Sequence, residues 1–361
     1  MERKSKVEDV EGLNIYNGKR ILVTGHTGFK GAWFCIWLNR LGAKVVGFSL
    51  KKYPNDFVYR KTNLSKIIFA DERGDINDYK RLKWVFDKYR PEIIFHLAAQ
   101  TIVRLSYDKP IGTLNTNIMG TINVLECIKN TPSVKAAVMV TSDKCYKNKE
   151  QIKPYKEGDE LGGYDPYSCS KACAELVIDC YRKSFFNNSL KLVASVRAGN
   201  VVGGGDFGKD RLVPDCIRAL IKGKEIKIRN PDSIRPWNFI LDALYGYLLV
   251  GQKLLEGKKE FAGAWNFAPD STSMITVNEI VDLVIKSWGK GKWVHSGTDE
   301  KTHETKLLNL DATKAKTLLN WSPKFNIKET IKNTVEWYKK CEVDNAYDLC
   351  VTQLNKYVSE L

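Results

Sequence analysis

The stretch Lys19-Arg20-Ile21-Leu22-Val23-Thr24-Gly25-His26-Thr27-Gly28-Phe29-Lys30-Gly31 decides the fold. Its first half is a short, β-branched run of the kind that forms a buried strand. Its second half spaces glycines at 25, 28 and 31, and the apolar residues that follow, as far as Leu41, keep helical spacing. Strand, Gly-x-x-Gly-x-x-Gly turn and helix open a dinucleotide-binding βαβ unit. Residues without a Cβ let backbone N–H groups approach a pyrophosphate, and the helix N-terminus favours its charge. Alone, the triplet would also suit a plain tight turn. Its place on a first β–α junction makes it a nucleotide signal.

Downstream, the alternation continues. Residues 44–49, 67–70, 93–99, 134–141 and 190–196 read as strands, and 78–89, 113–129 and 166–186 as helices. Such alternation predicts an α/β fold with a Rossmann-like, doubly wound parallel sheet covered on both faces. After residue 200 the regularity fades into Gly203-Gly204-Gly205, several prolines and shorter elements. The expected division is a nucleotide domain over 15–200 with a returning helix near 238–256. A smaller mixed α/β substrate lobe follows over 201–237 and 264–340, and then a tail over 341–361.

The remaining composition narrows the class. The 361 residues are 43% hydrophobic and 27% charged, which leaves ample material for a large core and excludes disorder as the main state. No apolar stretch approaches the roughly 20 residues of a membrane span. The N-terminus lacks the apolar segment of a secretory signal, so a cytoplasmic protein without a membrane partner is expected. Nine cysteines, an odd number without a Cys-x-x-Cys pair, predict reduced thiols and no metal site. The net charge of +15 comes from Lys and Arg dispersed in short clusters. That pattern favours solvated faces, with attraction of a small anion next, over a nucleic-acid stripe.

Two segments carry chemistry. Tyr167 and Lys171, four apart, share one face of a predicted helix, where an ammonium lowers the pKa of a phenol and makes it a usable base. A second Tyr-x-x-x-Lys, Tyr79 to Lys83, reads as a surface pair. Thr141-Ser142-Asp143-Lys144 ends the fifth strand, and ligands gather at the carboxyl ends of parallel strands. The second strand ends in Ser49-Leu50-Lys51-Lys52, without the acidic residue that binds the ribose of NAD. Two lysines there would suit a 2′-phosphate, so the turn leaves NAD and NADP both open. Asp75 follows the third strand, where a carboxylate can meet an adenine amino group.

Together, Thr24-Gly25-x-x-Gly28-x-x-Gly31, Leu97-Ala98-Ala99-Gln100, Asn117-x-x-Gly120-Thr121, Thr141-Ser142-Asp143-Lys144 and Tyr167-x-x-x-Lys171 resemble the extended short-chain dehydrogenase/reductase family. Within it the chain is similar to the NDP-sugar 4,6-dehydratases. The segments 98–107, 141–146, 162–168, 199–206 and 234–237 are similar to the branch that acts on CDP-glucose. The resemblance runs from about residue 15 to about residue 340 and implies an NAD-dependent lyase forming a 4-keto-6-deoxy sugar, early in making dideoxysugars for surface polysaccharide such as O-antigen. A GDP-, UDP- or dTDP-hexose dehydratase or an epimerase is the alternative.

The resemblance also implies roles. Tyr167 takes the 4-hydroxyl proton while hydride passes to NAD, Lys171 tunes Tyr167 and holds the nicotinamide ribose, and Ser142 bonds the C4 oxygen. Asp143 protonates the departing 6-hydroxyl, and hydride then returns at C6. Better-known members carry Asp-Glu where this chain has Asp143-Lys144, so Lys144 is the candidate C5 base only if it is neutral, with a purely electrostatic role as the alternative. Cofactor contacts are expected at Gly25, Thr27, Gly28, Phe29, Lys30, Gly31, Ser49, Asp75, Ile76, Leu97, Ala98, Ala99 and Asn117. Substrate contacts are expected at Gln100, Arg104, Ser142, Asn200, Arg211, Arg235 and His303, with the arginines on the pyrophosphate. A homodimer or homotetramer, paired on helices 113–129 and 166–186, completes what the resemblance implies.

Overall fold

A computed structural model describes residues 10, 12–52, 55–270, 273–297 and 307–361. Six strands come first: β1 (Arg20–Thr24), β2 (Lys44–Ser49), β3 (Ala70–Arg73), β4 (Ile93–His96), β5 (Ala136–Val140) and β6 (Leu192–Ala198). Then follow β7 (Asn200–Val202), β8 (Ile226–Ile228), β9 (Ile234–Phe239), β10 (Ala264–Phe267), β11 (Met274–Thr276) and β12 (Trp293–His295). The first half of the helices is α1 (Phe29–Arg40), α2 (Phe57–Lys61), α3 (Tyr79–Tyr89), α4 (Val103–Asp108), α5 (Pro110–Leu114), α6 (Gly120–Lys129) and α7 (Pro166–Tyr181). The second half is α8 (Leu212–Ile221), α9 (Ile240–Leu255), α10 (Val277–Trp288), α11 (Thr313–Leu319), α12 (Ile327–Lys340) and α13 (Ala346–Val358).

The main sheet has seven strands in the order β10-β6-β5-β4-β1-β2-β3, every neighbouring pair parallel. Chain order reverses between β1 and β4, which opens a crevice at the carboxyl edge. The doubly wound fold expected from the sequence is therefore the one observed. β10 belongs to this sheet, although the sequence reading gave 264–267 to the second lobe. A three-stranded sheet, β11-β9-β7, and a pair, β12-β8, build the smaller lobe.

Other boundaries moved for physical reasons. Residues 67–70 do not form the third strand; Ile68 is a buried core plug after a short 3-10 turn, and the strand is the polar Ala70–Arg73. An edge strand needs few apolar residues when its side chains are tied elsewhere, as Asp71 is to His26 (2.8 Å) and Glu72 is to Arg81. The predicted helix 113–129 is α5 and α6 joined by a wide turn over Asn115–Met119, and 166–186 is α7 followed by a similar turn over Arg182–Phe186. Such turns recur at functional sites.

The segment 341–361 is not an appendage. Its helix α13 buries Cys350, Leu354 and Tyr357, and the Tyr357 ring meets Trp37 of α1 edge-on at 5.8 Å. The Tyr357 hydroxyl and the Lys324 backbone N–H both donate to Oδ1 of Asp242 at 2.8 Å. Burial pushes this carboxyl up to about 7 despite those two bonds. A raised folded-state pKa stabilises fully below the unfolded value of 3.8 and loses that contribution as pH rises to about 7. The loss is on the order of 4 kcal/mol. Asp242→Asn keeps an oxygen for both donors and carries no charge. Its melting temperature is expected to fall less than that of the wild type between about pH 5 and pH 8; parallel melting curves across that range would remove the assignment.

All nine cysteines are free thiols, and six of them are buried, Cys145 among them. Among the described residues no helix is long and apolar enough to cross a membrane.

Candidate active site

The crevice holds a cavity of about 990 Å³ that runs from the glycine turn to the smaller lobe. Two glycines shape its floor. Gly25 has φ +76°, and a Cβ there would lie 2.7 Å from the Ala98 backbone nitrogen. A Cβ on Gly31 would lie 2.2 Å from the carbonyl oxygen of Gly25. Both clashes are with backbone, so α1 reaches the ends of β1 and β4 closely only because these positions lack side chains.

Many of the expected site residues line this one cavity. From the turn and the sheet edge come Gly25, Thr27, Gly28, Phe29, Lys30, Gly31, Ser49, Asp75, Ile76, Leu97, Ala98 and Ala99. From the catalytic segments come Ser142, Asp143, Lys144, Tyr167 and Lys171, from α4 Arg104, and from the lobe side Asn200, Arg211 and Arg235. Lys51 and Lys52 are exposed and outside the lining. His303 lies outside the described residues.

Gln100 and Asn117 are also outside the lining; they brace the loop after β4. Asn117 accepts from the Gln100 N–H (2.8 Å) and donates to its carbonyl (3.0 Å) and to Ser170 Oγ (2.8 Å). The Gln100 amide is spent on Ile102 O (3.1 Å) and Thr113 Oγ1 (2.9 Å). Both residues therefore shape the site through the backbone.

The helix that presents Tyr167 and Lys171 starts firmly. Asp165 caps α7, accepting from the Ser168 N–H (2.9 Å) and hydroxyl (2.6 Å), and Pro166 occupies the first helical position. The Tyr167 N–H donates to Ser106 Oγ at 3.2 Å. Burial pushes the Tyr167 phenol up to about 12, against a hydrogen bond with Ser142 that pulls it down. Burial likewise lowers Lys171 to about 8, opposed by the carboxylate of Glu175, and lowers Lys30 to about 8. The buried Lys171 and the half-buried Lys30, the latter beside Arg211, make a site that gains by taking up an anion.

Ser142 Oγ donates to Asp143 Oδ1 at 2.8 Å, and the Lys144 ammonium lies 3.8 Å from the same oxygen. The Lys144 side chain is 28% exposed, at the edge of the cavity rather than deep within it. Arg211 bridges Asp206 and Thr101, each at 2.9 Å, and Asn55 donates to Asp206 at 2.7 Å. Thr101, Asp165, Asp206 and the pair Glu175–Arg197 were not singled out from sequence. The last had a signal: Glu175 lies one turn beyond Lys171, and Arg197 interrupts an apolar strand.

The signature of the family described as GDP-mannose 4,6 dehydratase matches residues 22–334. The chain belongs to that family. CDP-glucose 4,6-dehydratase of Salmonella typhimurium is 44% identical over 332 residues, which cover 90% of this chain and 92% of the relative. Among solved structures, the epimerase Mth375 of Methanothermobacter thermautotrophicus has a TM-score of 0.80 at 24% identity, covering 92% of this chain and 95% of that one. The dTDP-glucose 4,6-dehydratase of Bacillus anthracis, solved in complex with NAD, has a TM-score of 0.77 at 24% identity, covering 90% and 97%. The two structures share the fold of this family member.

Proposed function

We propose that the protein is an NAD-dependent CDP-glucose 4,6-dehydratase. The observation that carries the reading is the Asp143–Lys144 pair facing one cavity with Ser142, Tyr167 and Lys171. An epimerase needs no acid for a 6-hydroxyl. The cytidine base rests on the 44% identity to the Salmonella relative.

The glycine turn fits a dinucleotide, because the missing side chains at 25 and 31 let α1 and the loop after β4 close on the end of β1, which leaves the turn's backbone lining the cavity where a pyrophosphate would lie. Gly25 to Gly31 would hold its pyrophosphate, Asp75 and Ile76 its adenine, and Lys171 its nicotinamide ribose. Bound there, NAD would supply the hydride chemistry: an acceptor for the C4 hydride and a donor at C6. Gly31→Ala is expected to weaken NAD binding by at least about tenfold, equivalent to about 1.4 kcal/mol, in a calorimetric titration. Unchanged affinity would remove the cradle.

Held as the phenolate by the Lys171 ammonium, against the burial that raises the phenol, Tyr167 Oη would take the proton of the 4-hydroxyl, with Ser142 Oγ on the same oxygen. The resulting ketone acidifies C5–H. A hexose over Asp143 and Lys144 excludes water, and a proton then passes from the ammonium to the carboxylate, which leaves two neutral groups. The Lys144 amine takes the C5 proton, and the Asp143 carboxylic acid gives its proton to the leaving 6-oxygen as water departs. The ion pair is restored, and as hydride is delivered to C6 the Lys144 ammonium returns its proton to C5, which completes the 4-keto-6-deoxy sugar. Asn200, Arg211 and Arg235 would hold the substrate pyrophosphate, with Arg211 exchanging Asp206 for phosphate oxygens. The exposed Ile111, Met119 and Leu176 on or beside the helices named for pairing support a homodimer.

Incubation of the purified protein with CDP-glucose, followed by alkali, is expected to produce the ultraviolet band of a 4-keto sugar. A band with another NDP-hexose and none with CDP-glucose would overturn the base assignment. CDP-galactose as the product would establish the epimerase reading instead.

A further inference from the structure

Behind the catalytic turn lies an ion pair that the steps above do not use. Glu175 on α7 and Arg197 on β6 are almost fully buried, with side chains 2% and 3% exposed. The contact is bidentate: Nη2 to Oε2 at 2.7 Å and Nε to Oε1 at 2.9 Å. Each partner also holds one end of the segment that carries Ser142 and Asp143. The Thr141 hydroxyl donates to Glu175 Oε1, and Arg197 Nη1 donates to the Tyr146 hydroxyl at 2.6 Å. The surroundings complete the set. Ser195 Oγ donates to Glu175 Oε2 (2.8 Å), Arg197 Nη1 also reaches the Glu157 carbonyl (3.1 Å), and Tyr146 donates to Asn266 (2.8 Å).

Stability does not explain this arrangement, since a buried ion pair is often no better than an apolar replacement of equal volume. What it supplies is position and charge. Glu175 lies four residues beyond Lys171 on the same helix, and its carboxylate opposes the burial that lowers that lysine. The other groups facing Lys171 are Tyr167 from its own helix, Lys30 from α1, His96 from β4 and Cys145 from the turn. Burial keeps His96 and Cys145 neutral at pH 7, so Glu175 is the anion among them.

We propose that Glu175 and Arg197 are positioning residues of the active site: the pair clamps both ends of the turn 141–146 and provides the counter-charge beneath Lys171. The proposal rests on the dehydratase reading. Wild-type turnover of CDP-glucose decides that reading, and the ratio of variant to wild type decides the clamp.

Glu175→Gln keeps the shape of the carboxylate and removes its charge. The expected result is a kcat at least about tenfold lower with a KM for CDP-glucose within about threefold. The alkaline limb of the kcat–pH profile, where Lys171 loses its proton, is expected at lower pH. A merely structural role would lower the melting temperature and leave that limb in place, which would overturn the proposal. So would wild-type kcat in a folded Glu175→Met/Arg197→Met double variant. Should Glu175→Gln not fold, Thr141→Val reads the clamp without touching charge. A lower kcat with an unmoved limb supports the clamp, and wild-type kcat overturns it.

Discussion

Tyr167→Phe is expected to abolish turnover of CDP-glucose while leaving the fold intact. The phenol is the buried hydroxyl beside Ser142, and the residue is 7% exposed within the cavity lining. Removing the oxygen leaves the ring packed and strands no charge. The melting temperature is therefore expected to stay within a few degrees of the wild type. Loss of a positioned base costs about a hundredfold to ten-thousandfold in kcat. The position of the block is the sharper readout. Without oxidation at C4 nothing acidifies C5–H, so a borodeuteride quench traps no 4-keto sugar and recovered substrate gains no deuterium from heavy water. Activity within tenfold of wild type, or persistent exchange at C5, would take the base role away from Tyr167.

Much of this site was legible in the chain because its parts are local. The turn from Gly25 to Gly31 is one strand, one loop and one helix start, and a Tyr–Lys spacing of four needs only a helix to put both on one face. What escaped was non-local or unusual in backbone. No periodicity marks the wide turn at Asn115–Met119, where Asn117 braces residue 100. The polar edge strand Ala70–Arg73 lacks the apolar pattern by which strands are found, and its tie to His26 spans 45 residues. α13 lies beyond the segments that carry the family resemblance, yet Tyr357 reaches Asp242 across 115 residues. Arg197 was readable as an oddity in an apolar strand, but its partner is 22 residues away on another element.

The departure from the Asp-Glu pattern gives the second large effect. Asp143 is buried at 4% exposure, accepts from Ser142 at 2.8 Å and faces the Lys144 ammonium at 3.8 Å. Asp143→Asn removes both the acid for the 6-oxygen and the acceptor that relieves Lys144 of its proton. Hydroxide, the conjugate base of water with a pKa of about 15.7, then has to leave unprotonated. Formation of the 6-deoxy product is expected to fall by about a hundredfold to ten-thousandfold. Unlike Tyr167→Phe, this variant still oxidises C4. A borodeuteride quench is expected to trap hexose labelled at C4, while substrate recovered from heavy water carries no deuterium at C5. Exchange at C5 at the wild-type rate would show that the base works without Asp143 and would overturn proton transfer across the pair. Product formation above a tenth of the wild-type rate would overturn the acid role itself.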